Sequence, residues 1–183
     1  MKKKRAIFLD RDGVININHG YVYQQENFDF VDGIFDLVKE ANNQNYLVIV
    51  ITNQAGIARG YYSENDFGLI TDWMIDKFSA KGCNIDSVYF SPYHPTHGIG
   101  NYLKDDISRK PNPGMILDAA KDFNINLNKS LLIGDKITDI QAGISAGIKK
   151  NILFDTQNNQ SNTLNHYSII SNLAHASKYL SQP

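Results

Sequence analysis

In the stretch FLDRDGVIN, residues 8–16, Asp10 and Asp12 flank Arg11 just where an apolar run ends. At an effective dielectric near 20, two carboxylates about 4 Å apart repel by roughly 4 kcal/mol. Folding has no use for that arrangement, so a positive charge is expected beside it. Residues two apart in an extended segment project to the same side. One carboxylate can then attack phosphorus while the other moves a proton, and an aspartyl-phosphate divides one difficult transfer into two easier steps. Arg11, pointing the opposite way, is expected to have no catalytic role.

Other reactive side chains follow the same rule of position. Thr52, Asn53 and Gln54 follow the apolar run YLVIVI, Gly134 and Asp135 end SLLIG, and the string SRKP supplies Arg109 and Lys110. Open α/β sheets bind ligands just beyond the carboxyl ends of their strands. Carboxylate oxygens in an incompletely enclosed site suit magnesium (Mg2+), which keeps water and binds through one or two carboxylates plus phosphate. Magnesium is therefore the positive charge expected beside Asp10 and Asp12. Phosphoryl transfer also spreads charge over equatorial oxygens, which Arg109 and Lys110 can meet. Taken alone, Lys110 reads as a solvent-facing loop lysine; the constellation gives it the functional reading.

Short β-branched runs alternating with amphipathic segments must position these groups. Strands are expected at residues 6–10, 46–52, 85–90, 130–134 and 151–154. Helices are expected at 33–43, from Ser63 to about Lys81, from Asn112 and Pro113 through Phe123, and near 138–146. Ser63 and Asp66 resemble a capping box, and Gly82 stops that helix. Ile169, Leu173, Ala176 and Leu180 recur at helical spacing and predict a terminal helix on the sheet, while 156–166 reads as a mobile polar loop. The fold expected is α/β: a three-layer, Rossmann-like parallel sheet of about five strands flanked by helices, as one domain over residues 1–183.

The 183 residues are 42% hydrophobic and carry a net charge of −1. That balance leaves no basic stripe for nucleic acid. No apolar stretch approaches the length that spans a bilayer, and MKKKR runs into too short an apolar segment for a signal peptide. A cytoplasmic monomer with no membrane partner is expected. Cys83 stands alone, which leaves no internal disulfide and suggests a packing role.

The motifs DRDGV, TNQ, RKPNPG and GDKITD resemble, in order and spacing, those of the haloacid dehalogenase superfamily of phosphatases, over nearly the whole chain to about Phe154. Within it the chain is similar to the heptose bisphosphate and histidinol-phosphate phosphatase group. GYVYQQENFDFVDGI and TNQAGIARGYYSENDF resemble the heptose branch more. The resemblance implies that Asp10 is the nucleophile and that Asp12 protonates the leaving oxygen and then deprotonates water. It implies magnesium held by the Asp10 carboxylate, the Asp12 main-chain carbonyl and the Asp135 carboxylate. Thr52 and Lys110 would bind the phosphoryl group, and Asn53 and Arg109 would orient substrate. Asp139 would stand just behind the metal ligands or cap a helix, and Lys136 would stand beside them or face solvent. The substrate implied is a phosphorylated sugar, heptose 1,7-bisphosphate losing its 7-phosphate on the way to nucleotide-activated heptose for surface polysaccharide. Alternatives are histidinol phosphate, another small phosphomonoester, or a non-hydrolysing phosphate sensor or scaffold.

Asp12 and Thr52 stand 40 positions apart, and Thr52 and Lys110 stand 58 apart. Neither interval leaves room for the separate cap domain of many relatives, so loops 15–30, 55–62 and 91–108 must exclude water. Tyr21, Tyr23, Tyr61 and Tyr62 are candidate walls for a sugar. The heptose branch commonly carries a structural zinc through a Cys-x-His and a Cys-x-Cys pair in the long loop. Ser91, Tyr93, Asp106 and Ser108 occupy those positions here. Zinc favours thiolate and imidazole, so its absence is expected, with His94, His97 and Asp106 as the improvised alternative. The loop must then be fixed by hydrogen bonds and packing, or move, and Gly98 and Gly100 favour motion.

Overall fold

A computed structural model describes residues 3–157 and 166–180. Its parallel sheet contains β1 (Arg5–Leu9), β2 (Tyr46–Asn53), β3 (Ser87–Ser91), β4 (Leu131–Gly134), β5 (Lys150–Phe154) and β6 (Ser168–Ile170). The strand order is β3-β2-β1-β4-β5-β6. The central strands are apolar and buried along both faces, as a sheet covered on two sides requires. In register, Leu9 of β1 lies between Val50 of β2 and Ile133 of β4. The carboxyl ends that carry Asp10, Thr52 and Asp135 therefore lie on adjacent strands.

Helices cover both faces. On one side lie α1 (Ile34–Asn43), the short α2 (Ala55–Ala58) and α3 (Glu64–Ala80), together with the carboxyl-terminal α6 (Ser177–Leu180). Leu37, Val38, Phe67, Ile70, Met74, Phe78 and Leu180 pack there against Ile7, Leu9, Val48 and Val50. On the other side α4 (Gly114–Asp122) and α5 (Ile137–Ala146) pack Met115, Ile116, Ala119 and Ile140 against Phe8, Ile49 and Ile51. The alternation of Ile7 and Leu9 with Phe8 explains the division, because successive strand residues face opposite layers. Ser63 caps α3 in the expected box with Asp66.

Several expectations need correction. The sheet has six strands where about five were expected, because Ser168–Ile170 pairs with β5 along its open edge. Ile169 therefore belongs to a strand, and only Leu173, Ala176 and Leu180 keep the helical stripe, on a 3-10 turn (Leu173–Ala176) and α6. Free edge hydrogen bonds outweigh a four-residue periodicity. The loop 55–62 contains α2. Pro113 is the residue before α4 rather than its first, since the Asn112 side chain donates to the Asp106 carbonyl and is engaged there. Of the expected mobile loop at 156–166, residues 158–165 lie outside the described residues. Cys83 packs as expected, buried and donating its thiol to the Phe35 carbonyl.

The intervals that could have held a cap are filled otherwise. Between Asp12 and Thr52 run a loop, α1 and β2; between Thr52 and Lys110 run α2, α3, β3 and a loop containing one 3-10 turn (Gly100–Tyr102). Among the described residues, no helix is long and apolar enough to cross a membrane.

Candidate active site

The Asp10 amide donates to the Ile133 carbonyl at 3.0 Å, which sets Asp10 beside the end of β4. Asp10, Asp135 and Asp139 bring carboxylate oxygens within 4.8 Å of one another. Two glycines permit this crowding. A Cβ on Gly134 would overlap the Asp139 side chain, and one on Gly13, whose φ is +101°, would overlap the Asp135 carboxylate. Asp10 and Asp139 are buried and Asp135 partly so.

Lys110 enters this acidic group from the other side. Its Nζ lies 2.8 Å from Asp10 Oδ1 and 2.6 Å from Asp139 Oδ1, and donates to the Ile51 carbonyl at 3.0 Å. Asn53 fixes the lysine's backbone, donating to the Lys110 carbonyl and accepting from its amide, both at 3.0 Å. One buried ammonium does not balance three carboxylates. Burial pushes the Asp10 carboxyl up to about 8; Lys110 opposes the shift, and Asp139 and Asp135 reinforce it. Burial likewise raises Asp135. Burial works against the Lys110 charge, yet Asp10 and Asp139 together hold its pKa above the ordinary lysine range.

Asp135 Oδ1 is buried and has no hydrogen-bond partner. An orphaned carboxylate oxygen among hard oxygen donors fits a divalent cation such as magnesium. Asp139 Oδ1 holds Lys110, while its Oδ2 accepts from the Lys136 amide at the start of α5, the capping contact that was its alternative expectation. Lys136 itself is exposed, with Nζ 3.8 Å from Asp135 Oδ2.

Asp12 has a different set of partners. Its Oδ1 accepts from Arg11 Nη2 at 2.8 Å and Asn16 Nδ2 at 3.1 Å, and its Oδ2 accepts from Gln54 Nε2 at 3.0 Å. Gln54 Nε2 also reaches Thr52 Oγ1 at 2.7 Å, and Tyr62 donates to Gln54 Oε1 at 2.5 Å. Both oxygens of the Asp12 carboxylate are thereby taken up. Sequence reasoning placed Gln54 at a strand end without a role, and it missed Asn16.

Contrary to expectation, Arg11 does not point away from its neighbours. Its side chain is fully buried, pairs with Asp12 and donates to the Val22 carbonyl at 2.6 Å. Its guanidinium also lies between the rings of Phe28 and Phe67, 5.8 and 5.6 Å from their centroids. The two-residue alternation fails because the strand ends at Leu9 and the chain turns: the amides of Ile15 and Asn16 fold back onto the Arg11 carbonyl. A positive charge does sit beside the aspartate pair, and it belongs to the protein.

A cavity of about 430 Å³ opens over these groups, with Asp12, Asn53, Gln54, Arg109, Lys110 and Lys136 in its lining. Thr52 is buried. Tyr21 and Tyr62 form walls as expected. Tyr61 packs edge-on against Tyr21 at 4.7 Å, and Tyr23 stacks on Tyr62 at 4.8 Å. Arg109 is half-buried and donates to the Tyr93 carbonyl at 2.8 Å. Burial and the neighbouring Arg59 lower its pKa. Among the described residues, neither arginine has a carboxylate within ion-pair distance, and Arg59 Nε is buried without a partner. Arg59 was not singled out in the sequence.

At the four positions where the resemblance places zinc ligands, Ser108 Oγ lies 3.0 Å from Ser91 Oγ and 2.7 Å from Asp106 Oδ1. His94 Nδ1 accepts from the amides of Thr96 and His97. Among the described residues the acidic or histidine trio close enough to share an ion is Asp10, Asp135 and Asp139, not His94, His97 and Asp106.

A family model described as HAD-hydrolase-like matches residues 107–178. A D-glycero-alpha-D-manno-heptose-1,7-bisphosphate 7-phosphatase of Burkholderia mallei is 58% identical over 151 residues, covering 82% of this chain and 80% of that protein. This chain belongs to the heptose bisphosphate 7-phosphatase family. A beta-named member of that family, from Pasteurella multocida, is 46% identical over 153 residues, or 84% of this chain and 83% of that one. A HAD-like phosphatase structure from Mesorhizobium loti superposes with a TM-score of 0.88 at 32% identity, covering 97% of this chain and 86% of that one. The D,D-heptose 1,7-bisphosphate phosphatase of B. bronchiseptica, complexed with magnesium and phosphate, superposes with a TM-score of 0.83 at 26% identity, covering 96% and 97%.

Proposed function

We infer that this protein is a magnesium-dependent phosphomonoesterase that removes the 7-phosphate from D-glycero-D-manno-heptose 1,7-bisphosphate. The observation that carries the reading is the cluster of buried Asp10 and Asp139 with partly buried Asp135, and Lys110 set into it, at the ends of β1 and β4. Asp10 attacks phosphorus and becomes a phospho-aspartate while the sugar oxygen leaves. Asp12, oriented by Arg11, Asn16 and Gln54, gives the leaving oxygen its proton and later takes one from the water that hydrolyses the intermediate. Thr52 and Lys110 bind the transferring phosphoryl group, and Asn53 holds Lys110 in place. The Asp10 and Asp135 carboxylates and the Asp12 carbonyl would hold magnesium, which supplies positive charge against the phosphoryl oxygens when bound.

Arg109 favours a substrate with a second anionic group. A guanidinium in the cavity lining with no carboxylate at ion-pair distance among the described residues suits a distal phosphate and opposes the ammonium of histidinol phosphate. The alpha anomer is the preferred substrate in this reading, because the relative at 58% identity carries that name and the beta-named one stands at 46%. A non-hydrolysing sensor would have no use for a proton donor held by three separate side chains. The protein acts in this reading as a cytoplasmic monomer, without structural zinc in loop 91–108.

A phosphate-release panel with magnesium tests the reading, using both heptose bisphosphate anomers and histidinol phosphate. Heptose bisphosphate is expected to turn over fastest. Equal rates on histidinol phosphate would remove the bisphosphate preference, and no release from any of them would remove the enzyme. Zinc at one equivalent per chain, after purification without added metal, would contradict the zinc-free loop.

A further inference from the structure

The carboxylate of Asp106 takes no part in the chemistry above, yet it ties together both ends of loop 91–108. Its Oδ1 accepts from the Ser108 amide at 3.0 Å and from the Ser108 hydroxyl at 2.7 Å. Its Oδ2 pairs with Lys104 Nζ at 2.8 Å, and the same ammonium stands 3.9 Å from the ring centroid of Tyr93. Ser108 Oγ in turn meets Ser91 Oγ, at the end of β3, at 3.0 Å. Arg109 is gripped between these anchors: its amide donates to the Asp106 carbonyl at 3.0 Å, and its Nη1 donates to the Tyr93 carbonyl at 2.8 Å. The Ser91 carbonyl accepts from the Gln54 amide at 2.8 Å, which joins the clasp to the residue that orients Asp12.

We propose that Asp106, with Lys104 and Ser108, is a positioning clasp that sets Arg109 over the pocket and so fixes affinity for the distal anionic group of the substrate. A surface ion pair alone contributes little. This one differs because Asp106 also accepts from a backbone amide and a hydroxyl, and because Lys104 is seated on an aromatic face. Hydrogen bonds from Lys104 and then Ser108 hold the Asp106 carboxyl down near 2, so the clasp stays charged under ordinary assay conditions. Held from both ends, Arg109 needs little ordering when the anion arrives, and that preorganisation lowers the cost of binding.

The proposal rests on the bisphosphate reading, and the test separates the two. With heptose bisphosphate, Asp106→Asn is expected to raise KM about tenfold and to leave kcat within about twofold, a coupling of the size found between contacting residues. Turnover of p-nitrophenyl phosphate, which has no distal phosphate, is expected to stay unchanged. In an Arg109→Gln background, Asp106→Asn is expected to add nothing further to KM. The Arg109 Nε–H resonance, identified by its loss in Arg109→Gln, is expected to be sharp in the wild type and broadened in Asp106→Asn. An additive KM penalty in the double variant, a fall in kcat at constant KM, or an unchanged Arg109 resonance would overturn the clasp. A wild type that hydrolyses p-nitrophenyl phosphate but not heptose bisphosphate would instead overturn the substrate reading, and the resonance would still judge the clasp.

Discussion

Asp10 and Asp12 are two residues apart, and their surroundings have little in common. Asp12 has three protein donors, including the fully buried Arg11, so its charge is neutralised from within the chain. Asp10 shares one ammonium with Asp139 and stands in a group of three carboxylates, one of whose oxygens is buried without a partner. The difference separates their work. A carboxylate that must move protons is held in one orientation by neutral and cationic donors. In the proposed mechanism the carboxylate that would work beside a metal is left short of positive charge, a shortage that a bound cation would relieve.

The strongest way to break this comparison is Asp10→Asn. Turnover of any phosphomonoester is expected to fall by about 10⁴-fold or more, since the nucleophile is lost. Folding stability should change by less than about 1 kcal/mol, because an amide mimics the protonated carboxyl that burial already favours. Phosphate release and urea denaturation check the two halves, and residual activity within tenfold of wild type would sink the nucleophile role. Next comes Asp12→Asn, with an expected loss of roughly 10²–10⁴-fold in kcat and magnesium affinity unchanged by calorimetry. A matching loss of magnesium affinity would erase the distinction between the two aspartates.

Arg11→Gln probes the protein-supplied charge. Removing one partner from a buried ion pair leaves the other uncompensated, so a loss of about 2–3 kcal/mol in unfolding free energy is expected, together with a lower kcat. A variant as stable as the wild type would mean that Asp12 is satisfied without Arg11.

The smallest effect is a proton linkage at Asp10, whose carboxyl is raised to about 8. Below that pH the metal-free protein holds a proton there, which a ligating carboxylate must shed. Magnesium affinity is therefore expected to climb with pH, at most about tenfold per unit, and to level off above about 8. The metal-free fold shows the opposite trend. A raised folded-state pKa stabilises fully below the ordinary carboxylate range and loses that contribution as pH rises through about 8. Titration calorimetry from pH 6 to pH 9 reads the first effect, and an affinity flat across that range would contradict it.

The locations of Asp10, Thr52 and Asp135 at one crevice were legible from strand ends alone, and Lys110 joined them only through the constellation. Their partners were not. Arg11 was misread because the alternation rule holds only within a strand, and β1 stops at Leu9. Gln54 was visible as a letter in a motif, but its bonds to Asp12 and Thr52 depend on how β2 lies against β1. The contacts made by Asp106 join segments whose loops have no periodicity to read. Strand β6 was missed because Ile169 also fits a helical stripe with Leu173, Ala176 and Leu180.

Residue types and their spacing along the chain, which covalent geometry fixes locally, determined that carboxylates, a hydroxyl and cations would end neighbouring strands of an α/β sheet. Only the tertiary structure decided which cation meets which carboxylate. Lys110 reaches Asp10, and Gln54 reaches Asp12 from 42 positions away, through a sheet order that sets β1 between β2 and β4. Electrostatic strength depends on distance and burial, and both are set by strand neighbours that no local pattern in the chain records.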